Sequence, residues 1–274
     1  MPELPEVETI KNQLLDQILN KKIIGVEVIK PRMINVSVAD FKKKIEGEKI
    51  KNIRRRAKML LMDFSNDYSL IIHLKMTGQL IYDGGTGRGT PHIIYTFADK
   101  SQLKHYDARL FGYAKLFKTR EADDFIKESD IGPEILEKEF TLLKFEELLK
   151  QRKKSKIKPL LMDQSFIAGV GNIYAQEACF CAKVSPQRRV EALEEFEIKK
   201  IYDCLRKILV SAVKDGGTSM DSYVDAKGEK GKYIFKLKVY GKGGEGCSEC
   251  GEKIKTIKLG GRGTAFSLAS WSGL

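Results

Sequence analysis

The first residues of the chain combine a candidate nucleophile with carboxylates. Pro2 is followed at once by Glu3, and Glu6 lies within one helical turn. If Met1 is removed, the nitrogen of Pro2 becomes a free secondary amine. An α-amino group has an ordinary pKa of about 7.7–8.0, against about 10.4 for lysine, so more of it is neutral and nucleophilic at pH 7. Such an amine can attack an electrophilic carbon while a neighbouring carboxylate moves protons.

The same segment also has the composition of an ordinary helix start. Prolines suit the first turn of a helix, and acidic residues there complement the helix dipole. Apolar residues then recur at helical spacing as far as about Asn20. On the chemistry of the residues alone, this structural interpretation is the stronger one.

The charge of the chain favours a polyanionic partner. Among 274 residues, 49 are basic and 37 acidic, which gives a net charge of +12. Residues 151–160 contain five basic side chains, Lys153 among them, and no acidic one. Residues 227–242 contain six lysines and the single acid Glu229. Clustering of this kind is typical of a phosphate-binding surface.

Length and composition predict a soluble protein of two domains in a reducing cytoplasm. The sequence has no apolar run long enough to span a membrane and no N-terminal secretory pattern. Five cysteines, three of them scattered, argue against a disulfide framework.

Periodicity predicts an α+β fold. After the first helix come short β-like runs bounded by turn residues, which indicates a β-sandwich or barrel. From about residue 121 to 215 the pattern is mostly helical, and a β-hairpin closes the chain. The predicted strands are 22–29, 59–64, 69–74, 92–97, 103–106, 113–117, 235–240 and 254–259. The clearest later helices are 140–151 and 194–213. The predicted domains are a catalytic sandwich (1–130), a helical DNA-binding domain (131–235) and a terminal hairpin (236–274).

A glycine-rich turn in the helical half has the features of an anion site. Residues 165–174 read Ser-Phe-Ile-Ala-Gly-Val-Gly-Asn-Ile-Tyr. The glycines Gly169 and Gly171 allow backbone amides to approach a phosphate, and Asn172 opens a helix whose N-terminus favours an anion. Capping of that helix by Asn172 is the structural alternative.

Several motifs together resemble formamidopyrimidine-DNA glycosylase, which excises oxidised purines. The string Pro-Glu-Leu-Pro-Glu-Val-Glu-Thr from Pro2 resembles the mature N-terminus of that family, and Leu4 stands where the sister family for oxidised pyrimidines has glycine. The resemblance implies that Pro2 attacks the sugar, that Glu3 shuttles protons and that Glu6 orders the N-terminus. It also places Lys58 near the active site and a flanking phosphate.

The resemblance extends to the DNA-binding parts of the family. Segments 73–78 (His-Leu-Lys-Met-Thr-Gly) and 107–112 (Asp-Ala-Arg-Leu-Phe-Gly) are similar to two family loops that fill the gap left by a flipped base. The structural alternative for a lone Met or Phe is a place in the core. The implied DNA-binding residues are His73, Met76, Arg109, Phe111, Lys153, Gly169, Gly171, Asn172 and Arg262. Residues 218–235, with Tyr223 and Tyr233, align with the lesion-recognition loop.

The C-terminal hairpin resembles the zinc finger of the family but lacks half of its ligands. Cys247 and Cys250 have zinc-ligand spacing, whereas Ser267 and Ser270 stand where the second cysteine pair belongs. We therefore expect zinc to be absent or weakly bound, with the hairpin held by strand pairing and by packing of Phe266 and Trp271.

The implied activity is that of a glycosylase with abasic-site lyase action on double-stranded DNA carrying oxidised or abasic sites. A monomer that requires no cofactor for the chemistry is expected. A preference for oxidised pyrimidines, a non-catalytic damage-binding protein and an RNA-binding helical module remain open alternatives.

Overall fold

The computed structural model describes residues 1–220 and 222–267. The chain forms two compact units. The first comprises Met1–Ser129 and Ala212–Ile234, and the second comprises Asp130–Ser211 and Phe235–Leu274. The predicted boundaries divide the chain differently, because the segment 212–234 lies in the first unit and not in the helical one.

The first unit is a helix-led β-sandwich, as the sequence predicts. Its antiparallel sheets have the orders β2-β3-β4-β8 and β1-β6-β7-β5. The elements are α1 (Leu4–Ile18), β1 (Ile23–Val28), α2 (Val38–Ile45), β2 (Ile50–Arg56), β3 (Met59–Phe64), β4 (Tyr68–His73), β5 (Gly78–Tyr82), β6 (Ile93–Phe97), β7 (Gln102–Asp107), β8 (Tyr113–Lys118) and α3 (Thr119–Glu128).

The apolar stripe of α1 is buried in the core of this sandwich. Val7, Ile10 and Leu14 are almost fully removed from solvent, and they share one cluster with inward-facing side chains of the strands. Spacing at i, i+3 and i+7 places these residues on one helical face. The helix therefore covers the sandwich, and its N-terminus is held at a fixed position on the first unit.

Two loops connect one sheet of the sandwich to the other. Strand β4 leads to β5 through residues 74–77, the first crossover loop, and β7 leads to β8 through residues 108–112, the second crossover loop. Since β4 pairs with β8 and β5 pairs with β7, the two loops lie side by side at one corner.

The second unit is mainly helical. It contains α4 (Leu142–Lys150), α5 (Ile157–Met162), α6 (Asn172–Ala182), most of α7 (Glu195–Lys214), and the hairpin β9 (Lys255–Leu259) and β10 (Arg262–Phe266). None of the helices in the described part of the chain is both long and apolar enough to span a membrane.

Two features of this unit were not expected from the sequence. Residues 235–240 do not form a strand, because the backbone N–H groups of Lys238, Val239 and Tyr240 donate to the carboxylate of Glu177 instead. The sequence argues against a disulfide framework and did not reveal that one disulfide is present. Cys181 on α6 and Cys204 on α7 are joined by one, with Cα atoms 5.9 Å apart, so sequence spacing alone concealed a pair that helix packing brings together.

Candidate functional site

The N-terminus of α1 presents the predicted catalytic group. Pro2 and Glu3 are buried, whereas Met1 is 44% exposed. The backbone N–H of Glu3 donates to Glu6 Oε2 at 2.7 Å, which satisfies an otherwise orphaned amide at the helix start. The helix start thus fixes the backbone that carries Pro2, and a buried carboxylate follows it directly.

Glu6 also binds a segment that is distant in sequence. Its Oε1 accepts a hydrogen bond from the backbone N–H of Thr218 at 2.8 Å. Gly217 has a φ of +83°, and a Cβ there would lie 2.8 Å from Glu6 Cγ. A glycine is therefore required for this approach. One carboxylate connects the start of α1 to the predicted lesion-recognition segment.

The two predicted lesion-segment tyrosines are buried within the first unit. The hydroxyl of Tyr223 donates to the carbonyl of Gly216 at 3.0 Å, and the N–H of Tyr233 donates to the carbonyl of Gly217 at the same distance. Burial raises the pKa of Tyr223, and the carboxylate of Glu6 raises it further. Tyr223 therefore holds the segment through its hydroxyl, and Tyr233 holds it through its backbone.

Lys58 lies in the turn between β2 and β3 and is largely buried. Arg55, for which the sequence predicts no role, fixes this turn. Its Nη1 donates to the carbonyl of Ala57 at 2.8 Å, and its Nε donates to Glu8 Oε2 at 2.5 Å. Burial raises the pKa of Glu8, but hydrogen bonds from Lys11 and Arg55 outweigh it, and the pKa falls below its ordinary value. The ion pair joins α1 to the turn that carries Lys58.

His73 ends β4 and is held as a neutral imidazole. Its Nδ1 accepts the backbone N–H of Lys75 at 3.0 Å, which places the ring proton on Nε2. Burial lowers the pKa of His73 to about 3, and the positive charges of Lys75 and Lys58 act in the same direction. His73 can therefore donate from Nε2 across the physiological pH range.

The crossover loops present the three predicted gap-filling side chains. Phe111 is 53% exposed, and the guanidinium of Arg109 lies 4.6 Å from the centre of its ring. Met76 is half-buried, while the intervening Leu110 packs on the core. A phenylalanine of the core would be buried, whereas Phe111 is exposed beside an arginine. A place in the core, the alternative that the sequence left open, therefore does not hold for Phe111.

In the second unit, Asn172 is the first residue of α6, and Gly171 occupies the cap position. The side chain of Asn172 is therefore not the cap. Its Oδ1 accepts from Lys158 Nζ at 2.5 Å, and its Nδ2 donates to the carbonyl of Gly263 at 3.2 Å. Lys158 is fully buried and also donates to Thr264 Oγ1 at 3.0 Å. The ammonium thus fixes Asn172 against the hairpin.

The remaining predicted DNA-binding residues of this unit are arranged on its turns. Gly169 has a φ of +89°, and its N–H donates to Gln164 Oε1 at 3.0 Å. Lys153 is exposed in the turn after α4, and Arg262 is exposed at the start of β10. Asn172 and Arg262 are brought together through the hairpin contacts, whereas no contact among the described residues joins Lys153 to them.

Side chains of α6 attach the hairpin to the helix. Gln176 Oε1 accepts the N–H of Ala265 at 2.7 Å, and Gln176 Nε2 donates to the carbonyl of Gly263 at 3.2 Å. The neighbouring Glu177 accepts the three amides of residues 238–240, and burial raises its pKa. Phe266 is buried as predicted, and Trp271 lies outside the described residues.

The residual cysteine pair does not fit a structural zinc ion. Cys250 Sγ lies 3.2 Å from the hydroxyl of Ser267, and Cys247 is buried beside them. A tetrahedral structural site needs four thiolate, imidazole or carboxylate ligands, and a serine hydroxyl is a poor substitute. Among the described residues, no cluster of three or more His, Cys, Asp or Glu side chains could hold a metal. Ser270 lies outside the described residues.

Comparisons with known proteins agree on one family. Residues 1–114 match the model of the formamidopyrimidine-DNA glycosylase N-terminal domain, and residues 131–223 match its H2TH domain. A formamidopyrimidine-DNA glycosylase of Pelotomaculum thermopropionicum is 40% identical over 97% of both chains. That of Lactococcus lactis subsp. cremoris is also 40% identical over 97% of both.

Solved structures of the Lactococcus lactis protein are similar over the whole fold. A variant bound to Fapy-dG-containing DNA has a TM-score of 0.91 and 38% identity, covering 99% of this chain and 100% of that one. The complex with abasic-site DNA has the same values. A complex with DNA containing an oxidised pyrimidine has a TM-score of 0.90, 38% identity and the same coverage.

Proposed function

We propose, on the premise that this chain belongs to the formamidopyrimidine-DNA glycosylase family, that it excises oxidised purines such as 8-oxoguanine and formamidopyrimidines from double-stranded DNA. It is a base-excision-repair DNA glycosylase with abasic-site lyase activity. The similarity to complexes with Fapy-dG and abasic-site DNA supports this substrate class. The observation that carries the proposal is the start of α1, where Glu6 orders the backbone that bears Pro2 and Glu3.

The proposed chemistry begins after removal of Met1. The Pro2 nitrogen attacks C1′ of the damaged nucleotide, the bond from C1′ to the base breaks, and the base leaves with a proton. Because Pro2 is a secondary amine, its adduct with the opened sugar is a cationic iminium, which accepts electrons during two successive eliminations. Glu3, buried directly beside Pro2, assists ring opening and moves the protons.

Lys58 and His73 would act on the phosphates that flank the lesion. The ammonium of Lys58 supplies a positive charge, and the neutral imidazole of His73 donates a hydrogen bond from Nε2. Their closeness is supported by the strand register, in which Met59, the residue after Lys58, pairs with His73.

The crossover loops would occupy the space from which the damaged base is removed. A flipped base leaves a gap in the stack, and apolar wedges fill such gaps while they kink the duplex. Met76 and Phe111 have suitable side chains, and Arg109 would bond the base that has lost its partner. The exposure of Phe111 under the guanidinium of Arg109 supports this role.

The second unit would grip the DNA backbone. Asn172, at the N-terminus of α6, would bind a phosphate together with Arg262 of the hairpin, and Gly169 and Gly171 would let the backbone of the preceding turn approach the DNA closely. Lys153 adds positive charge. The support is the buried bridge through Lys158, which holds Asn172 and the hairpin in one arrangement.

We further propose that the protein works as a cytoplasmic monomer and that its hairpin needs no zinc. The side chains of Gln176 and Glu177 attach the hairpin region to α6 without any metal ligand. None of the proposed steps at Pro2 involves a metal or another cofactor.

Product analysis on defined duplexes tests the proposed function. Purified protein that begins at Pro2 should release the base from a duplex with a single 8-oxoguanine or formamidopyrimidine. It should leave a one-nucleotide gap with phosphate at both ends, as two eliminations require. Release of the base without strand cleavage, or cleavage of undamaged DNA at the same rate, would contradict the proposal.

A second candidate is a preference for oxidised pyrimidines. The similarity to a complex with DNA containing an oxidised pyrimidine supports it. Single-turnover rates on matched duplexes decide between the two, since faster release of the oxidised pyrimidine would favour the second candidate. A damage-binding protein without catalysis would bind lesions but leave both duplexes intact.

A further inference from the structure

We propose that Asp107 is a positioning residue that locks the two crossover loops together, so that Met76, Arg109 and Phe111 enter the DNA as one rigid unit. This inference rests on the proposed function. It assigns a role to a residue that binds none of the substrate itself. The observation behind it is a fully buried carboxylate that accepts hydrogen bonds from both loops.

The strand pairing explains why one side chain can reach both loops. Gly78, which follows the first crossover loop, is paired with Asp107, which precedes the second. At the other ends of the loops, His73 is paired with Tyr113. Asp107 therefore lies where the first crossover loop enters this sheet and the second crossover loop leaves it.

The carboxylate of Asp107 uses both of its oxygens. Oδ1 accepts from the hydroxyl of Thr77 at 2.5 Å and from the N–H of Arg109 at 3.2 Å, and Oδ2 accepts from the N–H of Gly112 at 2.6 Å. Thr77 follows Met76 directly, while Arg109 and Gly112 are on either side of Phe111. Hydrogen bonds to a buried carboxylate are stronger than neutral ones, and a donor left without its acceptor is costly.

The second crossover loop is shaped around this contact. A Cβ on Gly112 would lie 2.9 Å from Asp107 Oδ2 and 2.8 Å from the carbonyl of His73, so a glycine is needed for the N–H to approach. Leu110 has a φ of +53°, a conformation that non-glycine residues seldom adopt, and its N–H donates to the carbonyl of Asp107 at 3.1 Å. Leu110 thereby faces the core, while Arg109 and Phe111 face solvent.

A locked pair of loops has a definite consequence for the reaction. Filling the gap requires three side chains at once, and loops that moved independently would have to be ordered during each encounter with DNA. With Asp107 in place, that ordering is already made when the protein folds. Loss of Asp107 should slow base excision, which needs a filled gap, and spare chemistry on a substrate that has no base to replace.

The test compares two substrates of the same protein. The variant Asp107→Asn keeps the size of the side chain but replaces one acceptor oxygen with a donor. We expect its single-turnover excision of 8-oxoguanine from a duplex to fall at least about tenfold. Borohydride trapping on a single-stranded abasic oligonucleotide should change less than about threefold. Met76→Ala should show the same selectivity, and Asp99→Asn, in the turn before β7, should leave both rates unchanged.

Thr77→Val provides a second route if Asp107→Asn fails to fold. It removes the hydroxyl that donates to Asp107 Oδ1 and accepts the N–H of Arg109 at 3.1 Å, and we expect a smaller loss confined to duplex excision. Equal loss on both substrates, or no loss on either, would overturn the positioning role while the wild-type activity stands. Absence of excision and trapping in the wild-type protein would instead refute the proposed function.

Discussion

Glu6 shows how a single side chain can order a reactive terminus. One of its oxygens accepts the N–H of Glu3, and the other accepts the N–H of Thr218. The motif at the N-terminus predicts that Glu6 orders this terminus. The second hydrogen-bond partner of Glu6 lies 212 residues away, so the local sequence gives no sign of it. Residue patterns therefore identified this group, whereas the fold was needed to show what it holds.

Burial of His105 makes the stability of the protein depend on pH. The ring is fully buried on β7, and burial lowers its pKa to about 4. Between that value and the ordinary pKa of about 6.5, the unfolded chain binds a proton that the folded chain rejects. The contribution to stability is therefore complete above pH 6.5 and decreases as the pH falls towards 4.

We predict that this one histidine costs the wild-type protein about 3 kcal/mol of unfolding free energy between pH 7 and pH 4. Urea unfolding at both pH values, followed by circular dichroism, measures the change. The variant His105→Gln has no such titration and should lose correspondingly less. An equal loss in both proteins would show that the acid sensitivity has another origin.

At the scale of elements, hydrophobic periodicity predicted most strands of the sandwich but missed β5, although that strand is largely buried. Strand β3 was predicted at its observed bounds, Met59–Phe64. Strand β2 was missed because its last three residues are all arginine, and consecutive charged residues lack the apolar alternation typical of a strand. Arg54 is accommodated on that strand by ion pairs with Asp63 and Asp123, which are distant in sequence.

Because Gln176 attaches the hairpin to α6, we predict that its loss weakens DNA binding and spares the chemistry. Gln176→Ala removes both hydrogen bonds from this side chain to the hairpin, and we expect the dissociation constant for abasic-site duplex to rise roughly tenfold. Trapping at saturating DNA should remain close to the wild-type level, because Pro2 is untouched. Fluorescence anisotropy measures the affinity, with the exposed Gln151→Ala as the matched control. Normal affinity in Gln176→Ala would show that the hairpin is held by other contacts.

The disulfide bond between α6 and α7 predicts that the stability of the protein depends on its redox state. Cys204→Ser should lower the unfolding free energy of the oxidised protein by about 3 kcal/mol, given a separation of 23 residues. With excess reductant, the wild-type protein and the variant should unfold alike. A stability difference that persists after reduction would mean that packing, and not the covalent bond, is responsible.

At the scale of the whole molecule, the sequence predicts the class of chemistry better than it predicts the residues that position the site. Motifs predict roles for Pro2 and Asn172. They predict none for Lys158 and Asp107, because their partners lie up to 106 and 30 residues away, and charged residues give no periodic signal. The segment 212–234 was likewise assigned to the helical half, although its hydrogen bonds to α1 place it in the first unit.

Metal content tests the altered hairpin. We predict well under one zinc per chain by mass spectrometry of metals, and DNA affinity that is unchanged by a chelator. The double variant Ser267→Cys, Ser270→Cys restores the second cysteine pair and should take up about one equivalent. One full equivalent of zinc that stays bound to the wild-type protein in the presence of the chelator would contradict the inference that Cys247 and Cys250 cannot form a structural zinc site.

The most direct test of the account is borohydride trapping of protein whose N-terminus has been shown by mass spectrometry to be Pro2. On a duplex with one 8-oxoguanine, we predict a covalent adduct of one chain per duplex, attached through the Pro2 nitrogen. Pro2→Gly should lose base excision while binding the lesion to within a fewfold of the wild-type affinity. Tight binding of the duplex by correctly processed protein, with neither adduct nor strand cleavage, would contradict the central claim.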